Sequence, residues 1–253
     1  MDLGLKGLRA VVTGGTKGIG RAIADTLAAE GCNVAVCARN EGEVKETVAA
    51  LGKQDVRAMG RALDVADKAA LEAWVKAAAE DFGGLDIVVA NVSALSIGQA
   101  EENWKQTFEV DMMHTVRSVD AAMPWLEKSK AASIVTISSV SGREIDFAYG
   151  PYGAFKAALI HYTQGLAHHL ACRGIRANSV SPGNTYFKGG VWEKIEHGNP
   201  DLFKLALSLN PTGRMGTPQE MANAAVFLAS PAASFITGTN LVVDGALTKG
   251  VQL

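Results

Sequence analysis

The sequence has little of what marks export, metal binding or a charged partner. Its three cysteines, Cys32, Cys37 and Cys172, are an odd number without metal-type spacing, so a disulfide framework is excluded and a reduced interior fits. The five histidines, including the adjacent His168 and His169, show no pair on one helix face with a carboxylate between them, and no metal is expected. A net charge of only -2 gives no electrostatic reason for nucleic acid or an anionic membrane as partner. No apolar run reaches the length of a membrane span, and Met1 to Arg9 has no basic region followed by a long apolar stretch. A cytoplasmic protein is expected. No repeat, low-complexity run or Pro-rich linker divides the 253 residues, so the expectation is a single domain over 1–253.

What is present is an alternation of apolar patterns. Leu8 to Thr13 is a short Val-rich run bounded by Gly14 and Gly15 and reads as a buried strand. Ile19, Ile23 and Leu27 then repeat at helical spacing up to Gly31, and Asn33 to Cys37 gives a second strand. Strand, glycine turn, helix and strand within about thirty residues make a βαβ unit with parallel strands. The pattern continues with a helix at 41–51, a strand at 56–63 and an amphipathic helix through Leu71, Trp74, Val75, Ala78 and Phe82. Strands follow at 86–90, 133–137, 175–180 and 240–243. Between them lie a long helix at 101–127, with Trp104, Phe108, Met112, Val116, Val119 and Met123 in one stripe, a helix from Tyr152 towards Gly174, and another at 218–229. The fold predicted is α/β: a doubly wound Rossmann fold on a mostly parallel seven-stranded sheet.

Two places in this frame carry chemistry. Tyr152 and Lys156 are four apart in a helical segment, which puts them on one face, one turn apart. A phenol titrates near pH ~10 in water and a neighbouring ammonium favours its ionised form, so such a pair suits proton transfer. Chance pairing is the competing explanation. The turn Thr13-Gly14-Gly15-Thr16-Lys17-Gly18-Ile19-Gly20 joins a strand to a helix, where glycines admit a pyrophosphate close to the backbone and the helix N-terminus offers free N–H groups. Its spacing is not G-x-G-x-x-G, which leaves a structural glycine turn as a rival. After the second strand stands Ala38-Arg39-Asn40, without the acid that would bind a ribose 2'-hydroxyl. Arg39 and Lys17 would clasp a 2'-phosphate, which favours NADP(H) over NAD(H); two solvated basic residues are the alternative.

Taken together, Thr13-Gly14-x-x-x-Gly18-x-Gly20, Asp64-Val65, Ser139, Tyr152-x-x-x-Lys156, Pro182-Gly183 and Asp244-Gly245 fall in the order and spacing of the short-chain dehydrogenase/reductase family. The chain resembles that family along essentially its whole length, and its 3-oxoacyl-carrier-protein reductase-like members in particular. The resemblance implies an oxidoreductase moving a hydride between NADP(H) and a carbonyl or secondary alcohol of a small molecule, working as a homotetramer. It implies Tyr152 as acid or base on the substrate oxygen, Lys156 as the group that aids it and holds the nicotinamide ribose, and Ser139 as hydrogen-bond donor to that oxygen. Gly14, Thr16, Lys17, Gly18, Ile19, Gly20, Arg39, Asp64, Val65, Asn91, Pro182, Gly183 and Thr185, with Tyr152 and Lys156, would bind the cofactor. Ser138 is expected against backbone and Ser141 beside the substrate.

Two departures from the family pattern stand out. Asn-Asn-Ala-Gly is replaced by Ala90-Asn91-Val92-Ser93, which either narrows the space beside the cofactor or repacks the strand end. The asparagine of the long helix is replaced by Asp111, whose matching size suits it to the same water relay from Lys156. Segment 184–217, with Phe187, Val191, Trp192, Ile195, Leu202, Phe203, Leu205 and Leu209, is expected to be a lid over the substrate or a helical pair packed on the sheet, with Lys188 and Trp192 touching substrate. The rival functions are an NADPH-binding homologue without turnover and a lyase or epimerase on the same scaffold.

Overall fold

The short Val- and Ala-rich runs become strands because, with apolar side chains on both faces, they have to be covered on both sides. In the computed structural model, which describes residues 2–251, the strands are β1 (Arg9–Thr13), β2 (Asn33–Ala38), β3 (Ala58–Ala62), β4 (Ile87–Ala90), β5 (Ser133–Ile137), β6 (Arg176–Pro182) and β7 (Asn240–Val243). They form one seven-stranded sheet in the order β3-β2-β1-β4-β5-β6-β7. Every neighbouring pair is parallel, so the sheet is wholly parallel where a mostly parallel one was expected.

Alternate residues of each strand feed two separate cores, as a period of two requires. Val11, Ala35, Val88 and Ile134 point to one side, where they meet Leu71, Trp74 and Val75 of α3 (Lys68–Phe82). The same layer holds Val119, Ala122 and Leu126 of α5 (His114–Leu126), and Leu170 of α6 (Pro151–Leu170). Ala10, Val12, Val34, Val36 and Val89 point to the other side, against Ile23 and Leu27 of α1 (Gly18–Ala29), Leu51 of α2 (Glu41–Leu51), and Ala225 and Val226 of α9 (Pro218–Ala229). The last of these helices starts on a complete capping box, Thr217 with Glu220, and has Pro218 at its first position.

The long helix differs from its expected form. It is α4 (Glu101–Thr107), one turn of π-helix over Phe108–Met113, and α5. The face turned to the protein is Thr107, Asp111, His114, Thr115, Ser118, Val119, Ala122 and Leu126, one residue away from the apolar stripe. The stripe read as apolar from sequence is only half covered: Trp104 and Phe108 are 40% and 42% exposed and meet Phe155 of α6 at ring distances of 6.2 and 5.8 Å. Segment 184–217 holds two short helices, α7 (Val191–Gly198) and α8 (Pro200–Ser208), around a small cluster of Trp192, Ala206 and Met215.

Candidate active site

Strand order reverses between β1 and β4, and in a doubly wound sheet the crevice beyond the carboxyl ends of the strands opens there. The cleft at this point has a volume of about 790 Å³. Its walls include every expected cofactor residue: Gly14, Thr16, Lys17, Gly18, Ile19, Gly20, Arg39, Asp64, Val65, Asn91, Pro182, Gly183 and Thr185, with Ser139, Tyr152 and Lys156. Asp111 is the exception and lies one layer behind.

At one end the chain makes a cradle that side chains would fill. Gly14 has φ +64, and a Cβ there would come within 2.9 Å of Val92 and 3.0 Å of the Asn91 amide; a Cβ on Gly20 would meet Asn91 Nδ2 and the Gly14 carbonyl oxygen. Asn91 fixes this geometry by donating from Nδ2 to the carbonyl oxygens of Thr13 (3.1 Å) and Gly14 (3.3 Å). Helix α1 begins without a capping side chain and without an acid in its first turn, so its leading N–H groups face the cleft unneutralised. A pyrophosphate fits such a cradle. Beside it Arg39 is exposed, but Lys17 is not free: its Nζ is 2.7 Å from Glu43 Oε1. Thr16 also donates to Glu43, at 3.4 Å.

At the other end, Pro151 starts α6 and sets Tyr152 and Lys156 one turn apart. Lys156 is buried at 2% exposure, which leaves its ammonium dependent on protein partners. Nζ donates to the Ile137 carbonyl oxygen at 3.0 Å, is 3.3 Å from Asp111 Oδ1, and lies 5.6 Å from the centre of the Tyr152 ring. The approach to Asp111 is a charge contact, since Oδ1 accepts no hydrogen bond. Ser138 donates to the Lys156 carbonyl oxygen at 2.7 Å, the backbone role expected for it. Ser139 donates to Ser141 Oγ (3.3 Å), and Ser141 donates to Asp146 Oδ2 (2.6 Å), so a chain of hydroxyls runs from Ser139 to a carboxylate.

Asp111 lies within the π turn, on the same buried face as Thr107, and faces Lys156. Its other oxygen accepts the Ala94 N–H at 2.8 Å, tying the loop after β4 to the helix; within that loop Leu95 takes a left-handed backbone, φ +51. One turn on, His114 bridges the π turn to β1. Its Nδ1 donates to the Val110 carbonyl oxygen, and Nε2 is 3.3 Å from Thr13 Oγ1, which accepts the Asn91 N–H at 3.0 Å. Burial pushes the imidazole down to about 4; Asp111 and the Val110 carbonyl oppose the shift and Lys156 adds to it. His114, Glu43 and Asp146 were not singled out from sequence.

Of the lid residues, Phe187, Val191, Trp192 and Ile195 line the cleft. Phe203 instead backs Trp192 at a ring distance of 6.5 Å, and Leu205 and Leu209 are exposed. Lys188, expected to touch substrate, is exposed and outside the cleft wall, because the turn at Gly189 and Gly190 directs it outward. Val92 both packs on the core and overhangs Gly14, so the altered strand end repacks and narrows the cleft together.

A family model described as enoyl-(acyl carrier protein) reductase matches residues 14–248. Isoepoxydon dehydrogenase of Penicillium expansum is 43% identical over 258 residues, covering 100% of this chain and 99% of its own. A 3-oxoacyl-[acyl-carrier-protein] reductase of Vibrio cholerae is 33% identical, covering 97% and 99%. Among solved structures, L-sorbose reductase of Gluconobacter frateurii, complexed with NADPH and L-sorbose, is 30% identical with a TM-score of 0.90, covering 99% of this chain and 100% of that one.

Proposed function

The chain belongs to the short-chain dehydrogenase/reductase family, oxidoreductases that move a hydride between a nicotinamide cofactor and a carbonyl or secondary alcohol, and we propose that it works with NADP(H) through Ser139, Tyr152 and Lys156. The observation that carries this is convergence: the three side chains and the glycine cradle meet in one cleft, with the Lys156 ammonium buried at its floor. Gly14 to Gly20, Asn91, Asp64, Val65, Pro182, Gly183 and Thr185 would hold the dinucleotide, and Arg39 with Lys17 its 2'-phosphate. When bound, NADPH supplies the hydride. Ser139 turns its hydroxyl from Ser141 to the substrate oxygen, where negative charge grows during reduction. Tyr152 gives that oxygen its proton, and Lys156 stabilises the phenolate left behind. Lys156 then passes a proton on to that phenolate, and Asp111, in contact with Nζ, takes the relay position by which Lys156 is reprotonated from water.

The segment 184–217 covers both ends of the cleft: Trp192 reaches Phe147 at 6.0 Å across the substrate mouth, and Phe187 lies against Gly18 of the glycine turn. The chain assembles as a homotetramer, supported by the exposed Trp104 and Phe108 and by Phe235, which is fully exposed beside β7. It acts in the cytoplasm; among the described residues no helix is long and apolar enough to cross a membrane. The test is a panel of ketones and secondary alcohols followed by nicotinamide absorbance, with NADPH and NADH compared on each hit. NADPH should be preferred and Tyr152→Phe should remove turnover; full activity in that variant sinks the assignment.

A further inference from the structure

The cleft beyond Ser139 and Tyr152 is mainly apolar, walled by Leu95, Ile97, Phe147, Val191, Trp192 and Ile195. One ionisable side chain interrupts that wall among the described residues: Asp146. Its carboxylate is half-buried and unpaired, with no lysine, arginine or histidine within ion-pair distance among the described residues. It accepts two hydrogen bonds, from the Ala148 N–H at 2.8 Å and the Ser141 hydroxyl at 2.6 Å, and a carboxylate has room for more.

A carboxylate left without a counter-charge in an apolar cleft requires a physical reason. The Ala148 contact is a local turn and needs only one of its oxygens. The other oxygen is directed through Ser141 to Ser139, two hydrogen bonds away. When Ser139 turns to a carbonyl oxygen, Ser141 loses the hydroxyl that had been donating to it. Its own oxygen, and the free lone pairs of Asp146, are then acceptors in want of donors beside the substrate.

Resting on the carbonyl–alcohol reading above, we infer that Ser141 and Asp146 are the specificity-determining anchor for a hydroxyl on the substrate, close to the carbonyl that Ser139 holds. The substrate class is an uncharged hydroxyketone or its diol, compact enough to share the cleft with a dinucleotide. A substrate hydroxyl donates its one proton to Ser141 Oγ in place of Ser139, and Ser141 donates in turn to the charged Asp146 carboxylate, which strengthens the bond it accepts. The same carboxylate repels ketones that bear a carboxylate or phosphate, and the one cation at this end among the described residues, Lys156, is already in contact with Asp111.

The experiment compares 2-hydroxycyclohexanone, cyclohexanone, 3-oxocyclohexanecarboxylate and the cationic N-methyl-4-piperidone with NADPH, using wild type, Asp146→Asn and Ser141→Ala. Asparagine keeps an oxygen for the Ala148 N–H, so the turn is retained. Wild type should favour the hydroxyketone over cyclohexanone by about tenfold or more in kcat/KM, the range of a hydrogen bond to a charged group. It should discriminate more strongly against the anionic ketone. Asp146→Asn should reduce the hydroxyl preference to about threefold and relieve the rejection of the anion, with Ser141→Ala falling between. Equal preference in wild type and Asp146→Asn, or a leading preference for the cationic ketone, overturns the inference. If no ketone is turned over at all, the activity reading fails separately, and quenching of the Trp192 fluorescence decides: tighter binding of the hydroxyketone in wild type than in Asp146→Asn supports the anchor, and equal binding refutes it.

Discussion

The most quantitative consequence of the site lies in His114, which is wholly buried between the π turn and β1. The Val110 carbonyl can only accept, so Nδ1 carries the proton of the neutral ring and Nε2 accepts from Thr13. Adding a second proton forces the Thr13 hydroxyl round to the Val89 carbonyl oxygen, 3.4 Å away, and places a new cation near Lys156 with Asp111 as partial compensation. The folded ring therefore titrates at about 4. In the unfolded chain a histidine titrates near ~6.5. Between those values the unfolded chain holds a proton that the native state lacks, so stability falls as pH falls. The stabilisation is fully present above the unfolded value and is lost progressively on the way down to about 4, a total of roughly 3 kcal/mol. Between pH 7 and pH 5 the loss should be about 2 kcal/mol. Urea unfolding of wild type and His114→Gln at the two pH values isolates this part, because the other titrating groups are common to both. The wild type should lose about 2 kcal/mol more than the variant. Equal losses, or a native-state His114 resonance titrating near the unfolded value, would refute the reasoning.

Two further outcomes follow from neighbouring geometry. Asp111→Leu removes both the counter-charge of the buried Lys156 ammonium and the oxygens around it, and should lower the unfolding free energy by ~3–5 kcal/mol, whereas Asp111→Asn loses the charge but keeps an acceptor for the Ala94 N–H and should be destabilised less and keep kcat within a few fold; denaturant titration and steady-state kinetics check both, and equal destabilisation would show that the charge of Asp111, not its polar oxygens, is what Lys156 requires. Glu43 competes with a 2'-phosphate for Lys17, so Glu43→Gln should tighten NADPH by about threefold to tenfold while changing NADH little, as read from cofactor fluorescence, and an unchanged NADPH affinity would show that the 2.7 Å pair opens at no cost.

The order of strands and helices was legible because each strand is a compact apolar run closed by a turn, a local signal that parallel burial imposes. The residues meeting in the cleft were legible for a similar reason. The glycine turn, Ser139 and the Tyr152–Lys156 pair each lie at the end of a strand or the start of a helix, and doubly wound topology brings those ends together. What was not legible depends on phase and on contacts between distant segments. The buried face of the long helix is a polar one, offset by a residue from the apolar stripe, so Trp104 and Phe108 are partly exposed and Asp111 and His114 lie inward. No local pattern pairs Glu43 with Lys17, and the outward turn of Lys188 follows from two glycines whose conformation the sequence leaves free.

The strand order also divides the protein by firmness. The sheet grows outward in both directions from the β1–β4 seam, where the strands are almost wholly buried, to β3 and β7, whose side chains are half-covered or exposed. Hydrogen exchange should follow that gradient towards β3, slowest at the seam and fastest at that rim, since β7 lies beside Phe235 and the proposed subunit contact. Ser139 and Lys156, to which we assign the chemistry, stand near the slow centre, while Asp64 follows the loose rim strand β3. Such a molecule can yield at the outer end of its cofactor cleft, admitting and releasing a long ligand, without loosening the groups that carry out the chemistry.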